Sequence, residues 1–379
     1  MKKVIFALAA VVALAACSQE DVIVADKGAA IGFDTFVENS TRSVYDPSYT
    51  NAKPFANFGV FGTVEGAELF NNKTVTGTGV GENASWTYAG TQYWIAGAKY
   101  NFAAVAPQTV MVNDVKTDVY TNASYAVTSS VVNDEKVYTG TTTLSFANNG
   151  KIDLLYAEAT AEGKAGSGDA EKPANGKVGF NFRHVLSKVK FSFENAYNAS
   201  NATIRVENVK INDAYASGSV VLNDKTVWTP VTTGDMLVLD FGKATDNAAT
   251  TDAKEAVDVA FEYGKTYESY NELLMIPGQG ASTYTVGTTT YANVYKITFD
   301  VVLLVSGKVI DTYKHTIYTD FAPLAGMRYN LKAVIKPENI DPEHSQEPIL
   351  FTVNEIKDWD NGNKADDAKD NDSNSTTIM

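Results

Sequence analysis

Only one cysteine, Cys17, stands in this chain of 379 residues, so no intramolecular disulfide can form. Histidine is almost as scarce, with His184, His315 and His344 the only three. They are far apart and form no HxH or HxxxH pair, so the sequence gives no sign of a metal centre or any other cofactor. Positive charge is short as well: 31 Lys and Arg face 45 Asp and Glu, for a net charge of −14. Such an acidic body lacks the basic footprint that nucleic acid requires. Strongly periodic helical stretches are few, and the one long apolar run lies at the very start.

That start carries a clear address. Lys2 and Lys3 precede the apolar stretch Val4 to Ala13, and Leu14-Ala15-Ala16 brings small residues up to Cys17. The run is too short for a lasting membrane span and reads as a secretory signal, residues 1–16, ending in a lipobox. Cys17 is then the lipidated first residue of the mature chain, and residues 17–29 are a polar tether. Several acyl chains on one residue, at roughly 0.8 kcal/mol per buried CH₂, hold a protein to the outer membrane of the cell. A thioether-linked Cys17 is excluded from catalysis or metal binding. Loss of Lys2 and Lys3 with the leader takes the formal charge from −14 to −16.

About 360 mature residues suit two domains. Tyr, Thr and Val abound, and turn residues recur every ten positions or so, which points to an all-β chain of sandwiches. Ile31, Phe33, Thr35 and Val37 alternate onto one face of a first strand. A polar break follows, and it contains Arg42. Phe58 to Val64, Tyr100 to Val105 and Lys151 to Tyr156 read as further strands. Thr76 to Ala84 and Ala161 to Gly176 read as loops. Val189 to Phe193 is a two-faced strand, and Ile204, Val206, Val209 and Ile211 continue with a phase slip near Glu207-Asn208, as a bulge produces. Tyr295 to Leu303 and Val309 to Ile317 form a hairpin about Ser306-Gly307. Met327 to Ile335 and Ile349 to Val353 close the series. The boundaries read 30–178 for an N-terminal sandwich, 179–359 for a C-terminal one, and 360–379 for a polar, disordered tail.

Catalytic patterns are missing. Gly77 to Glu82 lacks the GK[ST] ending of a phosphate loop and reads as a hairpin loop. Asp358-Trp359-Asp360-Asn361-Gly362 begins like a calcium loop but lacks its later Glu. No Gly-x-Ser-x-Gly elbow occurs. A surface hydrolase is thus the weakest reading, and the chain is expected not to be an enzyme. Tyr88, Tyr93 and Trp94 could stack on sugars, but in a sandwich such residues more often fill the core.

Several stretches, in order, resemble the fimbrillin family of type V pilus subunits. They are Leu14 to Cys17, Ser40-Thr41-Arg42, Phe58-Gly59-Val60-Phe61, Tyr93-Trp94, Tyr100-Asn101-Phe102 and Ala106-Pro107. Asp153 to Ala157, Phe182 to Val189, Leu273 to Pro277, Gly326 to Tyr329 and Ile349 to Trp359 complete the set. The resemblance implies two transthyretin-like β-sandwich domains in tandem and export as a lipoprotein to the outer surface. It further implies assembly into a homo- or hetero-polymer with other pilus subunits, serving adhesion to a host or bacterial surface. In that scheme a protease cuts after a basic residue, here Arg42 by position. The strand carrying Ile31, Phe33, Thr35 and Val37 then leaves, and a neighbour's strand enters its groove. The alternative is a fixed first strand and an uncut loop. Donor strands are Ile349, Phe351 and Val353, or the tail, whose only apolar end is Ile378-Met379. A tail so poor in apolar side chains suits a tip or accessory subunit, or a donor upstream of Trp359. The competing function is a monomeric, anchored surface lipoprotein that binds glycans through aromatics such as Trp94.

Overall fold

A computed structural model describes residues 29–37, 55–78, 85–163, 176–232, 234, 236–245, 260–340, 349–358 and 377–378. Cys17, Arg42 and His344 lie outside them. The described chain is strand after strand. First come β1 (Gly32–Val37), β2 (Asn57–Val64), β3 (Ala67–Thr78), β4 (Ser85–Thr87) and β5 (Lys99–Ala106). Next are β6 (Thr109–Val112), β7 (Val115–Asp118), β8 (Tyr120–Val132), β9 (Glu135–Ala147), β10 (Leu155–Glu162) and β11 (Lys177–His184). Then follow β12 (Ser187–Asn195), β13 (Ala202–Ala214), β14 (Ser217–Leu222), β15 (Thr226–Pro230), β16 (Leu237–Gly242) and β17 (Ala244–Thr245). Last are β18 (Thr266–Ser269), β19 (Leu273–Met275), β20 (Ser282–Val286), β21 (Thr289–Val305), β22 (Lys308–Thr319), β23 (Met327–Ile335), β24 (Phe351–Asp358) and β25 (Thr377–Ile378).

A seven-stranded sheet runs β1-β11-β10-β5-β2-β3-β4. Its end strands, β1 and β4, lie against each other, so the sheet rolls around a core rich in aromatic rings. Strand alternation sends Tyr100, Phe102 and Ala104 of β5 into that core, with Phe58, Val60, Phe70, Phe180 and Phe182. The intervening Ala103 and Val105 face the other way. There they meet Leu144 and Phe146 of β9 and Val220 and Leu222 of β14, from a four-stranded sheet ordered β15-β14-β9-β8.

The third core fills the space between two six-stranded sheets, a sandwich in the ordinary sense. One sheet runs β17-β18-β12-β23-β24, with β19 beside β12. The other runs β16-β13-β21-β22-β25, with β20 beside β21. Phe191 and Phe193 point inward from β12, against Ile204, Val206, Ile297 and Phe299. Lys190, one residue before Phe191, reaches Glu268 at 2.6 Å on the outer face. The slip near Glu207-Asn208 is a register shift against β21, with Asn208 at φ 56°. The Ser306-Gly307 turn joins β21 to β22 as expected.

Strand pairing crosses the division expected at 178/179. β11 pairs with β10, and the later hairpin β14-β15 joins β9. A sandwich whose edge stays open can be completed by chain from far along the sequence, and hydropathy alone carries no sign of that. After β11 only Val185 and Leu186 intervene before β12, which belongs to another sheet. Both are buried, beside Leu274 and Ile276.

Several expected segments have different limits. The loop expected over Thr76 to Ala84 starts later, because β3 continues through Thr78 and pairs there with β4, Gly77 opposite Trp86. Lys151 to Tyr156 becomes a strand only at Leu155, because Asn149 Oδ1 accepts the backbone N–H groups of Lys151 and Ile152 in a turn. The strand then runs through Ala161 and Glu162, where a loop was expected to begin. At the C-terminus, Thr377–Ile378 pairs with Tyr318 and Thr319 of β22. Disorder throughout 360–379 therefore does not hold for these two positions, where a β-branched pair meets a sheet edge.

The first-strand groove as candidate functional site

β1 is assembled from alternating residues of strong strand preference, and its side chains divide accordingly. Ile31 is 2% exposed and Phe33 1%, whereas Phe36, on the other face, is 54% exposed. Thr35 lies between these extremes, and its Oγ1 is buried with no hydrogen-bond partner. Val37 holds the last position of the strand, opposite Phe182.

β1 ends its sheet and runs parallel to β11, from Gly32 beside Lys177 to Val37 beside Phe182. Among the described residues, the backbone hydrogen bonds on its other side lie at its start. There Ile31 N donates to Gln92 O at 2.8 Å, and Trp94 N donates to Ala29 O at 3.0 Å. The Tyr88 hydroxyl, whose pKa is raised by burial, donates to Ile31 O at 2.7 Å. Lys177 Nζ meets Asp34 Oδ1 at 2.8 Å, an exposed pair that contributes little.

The hold on β1 is chiefly through its side chains. The Phe33 ring is surrounded by Phe58, Phe70, Tyr88, Phe102 and Phe180, at centroid distances between 5.4 and 6.3 Å. These rings come from β2, β3, the segment after β4, β5 and β11, so one side chain ties nearly the whole rolled sheet together. Burying Ile31 and Phe33 contributes roughly 3–6 kcal/mol before ordering costs. Withdrawal of the strand would uncover a ring-lined slot and the backbone edge of β11. An apolar trench beside an unpaired edge is a template for another extended chain.

Trp86, at the opposite end of the sheet, covers this core at 5.0 Å from Phe58. Gly77 permits that position, since a Cβ there would meet the Trp86 ring at 2.7 Å. Trp94 packs edge-on to Tyr100 at 4.7 Å, and its Nε1 donates to Gly176 O. Trp94 and Tyr88 are thus partly buried, packed against the core, and form no flat exposed platform. Tyr93 alone of the three is exposed.

The two donor segments sit elsewhere. Ile349 and Phe351 are buried in the third core, with Val353 packed against it. Phe351 lies 5.3 Å from Phe191 and 5.8 Å from Phe299. β24 pairs antiparallel with β23 from Phe351 to Asp358. It completes its own sandwich. Of the tail, only Thr377–Ile378 is described, on the β22 edge.

The two described histidines, His184 and His315, stand in different surroundings. His184 Nδ1 lies 2.6 Å from Asp153 Oδ2, just before the Val185-Leu186 crossing. His315 is buried on β22 and stacks on Phe299 at 5.2 Å. Burial lowers its pKa to about 4, against a smaller upward pull from Asp300. Among the described residues no three His, Cys, Asp or Glu side chains are grouped to hold a metal ion. No helix among them is long and apolar enough to cross a membrane.

Sequence reasoning found β1 through its alternation. It missed the cage, because the five rings are scattered between residues 58 and 180. The one available signal was an excess of Phe at alternating strand positions.

A family model described as fimbrillin-like matches residues 41–359. Among solved structures, one from Bacteroides uniformis described as a candidate cell adhesion protein is 17% identical. The alignment covers 87% of this chain and 98% of that one, with a TM-score of 0.40. A cell adhesion candidate from Parabacteroides distasonis is 12% identical, covering 88% and 98%, with a TM-score of 0.41. No curated protein matches the sequence.

Proposed function

The chain belongs to the fimbrillin-like family, and on that premise we propose that it is a pilus subunit assembled by exchange of its first strand. In this reading the precursor is exported as a lipoprotein, anchored to the outer membrane through Cys17 and displayed at the cell surface. Proteolysis after Arg42 severs β1 from the body, β1 departs, and a strand of the next subunit takes its place beside β11. The product is a non-enzymatic polymer that serves adhesion. Two transthyretin-like sandwiches belong to the same proposal, with the division moved from 178/179 to the Val185-Leu186 crossing, because β11 lies in the rolled sheet, and with β14-β15 completing the first.

The observation that carries the reading is the placement of β1. It is a terminal strand, joined to its sheet by one parallel ladder and plugged in through Ile31 and Phe33. The buried, unpartnered hydroxyl of Thr35 adds to this, since a donor with an apolar residue there avoids a desolvation cost of about 1–3 kcal/mol. β24 is a poor donor within its own subunit, because its withdrawal would strip Ile349 and Phe351 from the third core. We take the tail as the donor instead; its described residues, Thr377–Ile378, already add as a strand to the β22 edge.

Mass spectrometry of polymer sheared from cells tests the reading directly. The expected N-terminus lies just after Arg42; a lipidated Cys17 retained throughout assembled material ends the proposal. Truncation after Asp358 tests the donor, with loss of polymer expected. The glycan-binding alternative gains little from Trp94, which is partly buried and packs edge-on against Tyr100.

A further inference from the structure

β8 ends the four-stranded sheet, and among the described residues only β9 pairs with it. At 13 residues it is the longest strand that ends a sheet. Native sheet edges are usually blunted by charge, proline or irregularity. β1 carries Asp34, β15 finishes on Pro230, β16 carries Asp240, and β24 carries Glu355, Lys357 and Asp358. From Val119 to Asn133, between Asp118 and Asp134, there is neither a charge nor a proline. One bulge interrupts β8 between Thr121 and Ser124, with Asn122 at φ 51°. Beyond it, Ser124 to Val132 pairs with β9 without a break.

We propose that Ser124–Val132 is a homotypic docking edge, to which a second copy of this chain adds its own β8 antiparallel about a two-fold axis at Thr128. Three observations select a second copy as the occupant. Two mature bodies of net charge −16 each (−14 less the charges of Lys2 and Lys3) repel each other, and this uncharged strip lets them meet without opposing like charges. The segment is self-complementary when reversed about its midpoint: Thr128 faces Thr128 and Val127 faces Ser129 of the partner subunit. In the same register Tyr125 faces the partner's Val131. Val131 is 72% exposed and lies on the same face as Tyr125, so the pairing gives this exposed valine a cross-strand neighbour. The contact is isologous and closes on itself. It is separate from the β1 groove and would join subunits side by side.

The test uses the full mature chain, residues 17–379, carrying Cys17→Ser and Arg42→Ala. Lipid is then absent and β1 stays in its groove, so any association is independent of strand exchange. Sedimentation at concentrations up to the order of 100 μM should show a reversible dimer. Thr128→Lys and Thr128→Glu, each placing like charges opposite one another, should each weaken it by about tenfold or more. An equimolar mixture of the two variants should restore it. Circular dichroism and the thermal midpoint verify that both variants fold, and each serves as a check on the other. A wild-type chain that stays monomeric throughout, variants that dimerise as tightly as wild type, or a mixture that fails to reassociate each overturns the proposal. None of these results touches strand exchange, which is read from the N-terminus of the polymer.

Discussion

β1 and β24 make an instructive pair. Both end a sheet, and both are entered through Ile-x-Phe: Ile31 and Phe33 in one, Ile349 and Phe351 in the other. All four side chains are buried, and each Phe sits in a cluster of rings. The backbones differ. β24 lies antiparallel along β23 for its full length, whereas β1 has a parallel ladder, the slightly weaker kind per residue. Position in the chain differs too, since everything needed to build the remaining sheets follows β1. Depth of burial therefore does not distinguish the two strands; connectivity and ladder type do.

The largest expected effects break the comparison outright. In the uncleaved chain, Phe33→Ala and Phe351→Ala should each cost about 3–5 kcal/mol in urea unfolding. After cleavage at Arg42 and loss of β1, the Phe33 effect should vanish while that of Phe351 persists. A cleaved chain still destabilised by Phe33→Ala would mean that β1 never departs.

Acid should separate the two regions next. His315 stacks on Phe299, which touches Phe351, so its protonation bears on the third core alone. Its pKa falls from an ordinary 6.5 to about 4 in the folded chain. The unfolded chain therefore takes up the proton first, and stability present above pH 6.5 is lost as pH falls towards 4. The loss is on the order of 3 kcal/mol. His315→Leu should flatten the pH dependence of unfolding across that window relative to wild type, and an unchanged profile would exclude His315 as its source.

Smaller changes sharpen the account of β1. Thr35→Val removes a buried, unpartnered hydroxyl and should stabilise the uncleaved chain by about 1 kcal/mol. Polymer should then form more slowly, measured as SDS-resistant oligomers after protease addition. Asp34→Ala, which deletes the exposed partner of Lys177, should change unfolding by less than about 1 kcal/mol.

Much of the local structure could be read from sequence because it depends on neighbours a few residues apart. Met327 to Ile335 is a strand over that same span, and the hairpin about Ser306-Gly307 and the bulge at Asn208 lie where the alternation places them. The alternation of β1 identified the residues that line the groove. Partners were not legible. Nothing in Lys177–His184 announces that β1 will lie parallel to it, and nothing in Ser217–Leu222 announces β9. β8 and β9 themselves were passed over because Thr and Ser dilute their alternation, although both residues are at home on a solvated sheet face.

The crossing at Val185-Leu186 has a mechanical consequence. One continuous stretch of polypeptide is woven into the rolled sheet as β11 and, two residues later, into the next as β12. Traction applied through whatever chain lies alongside β11 therefore passes to the far sandwich along covalent bonds, with no adhesive seam in between. A filament made of such units would be strained first at the junctions between subunits, and only afterwards within them.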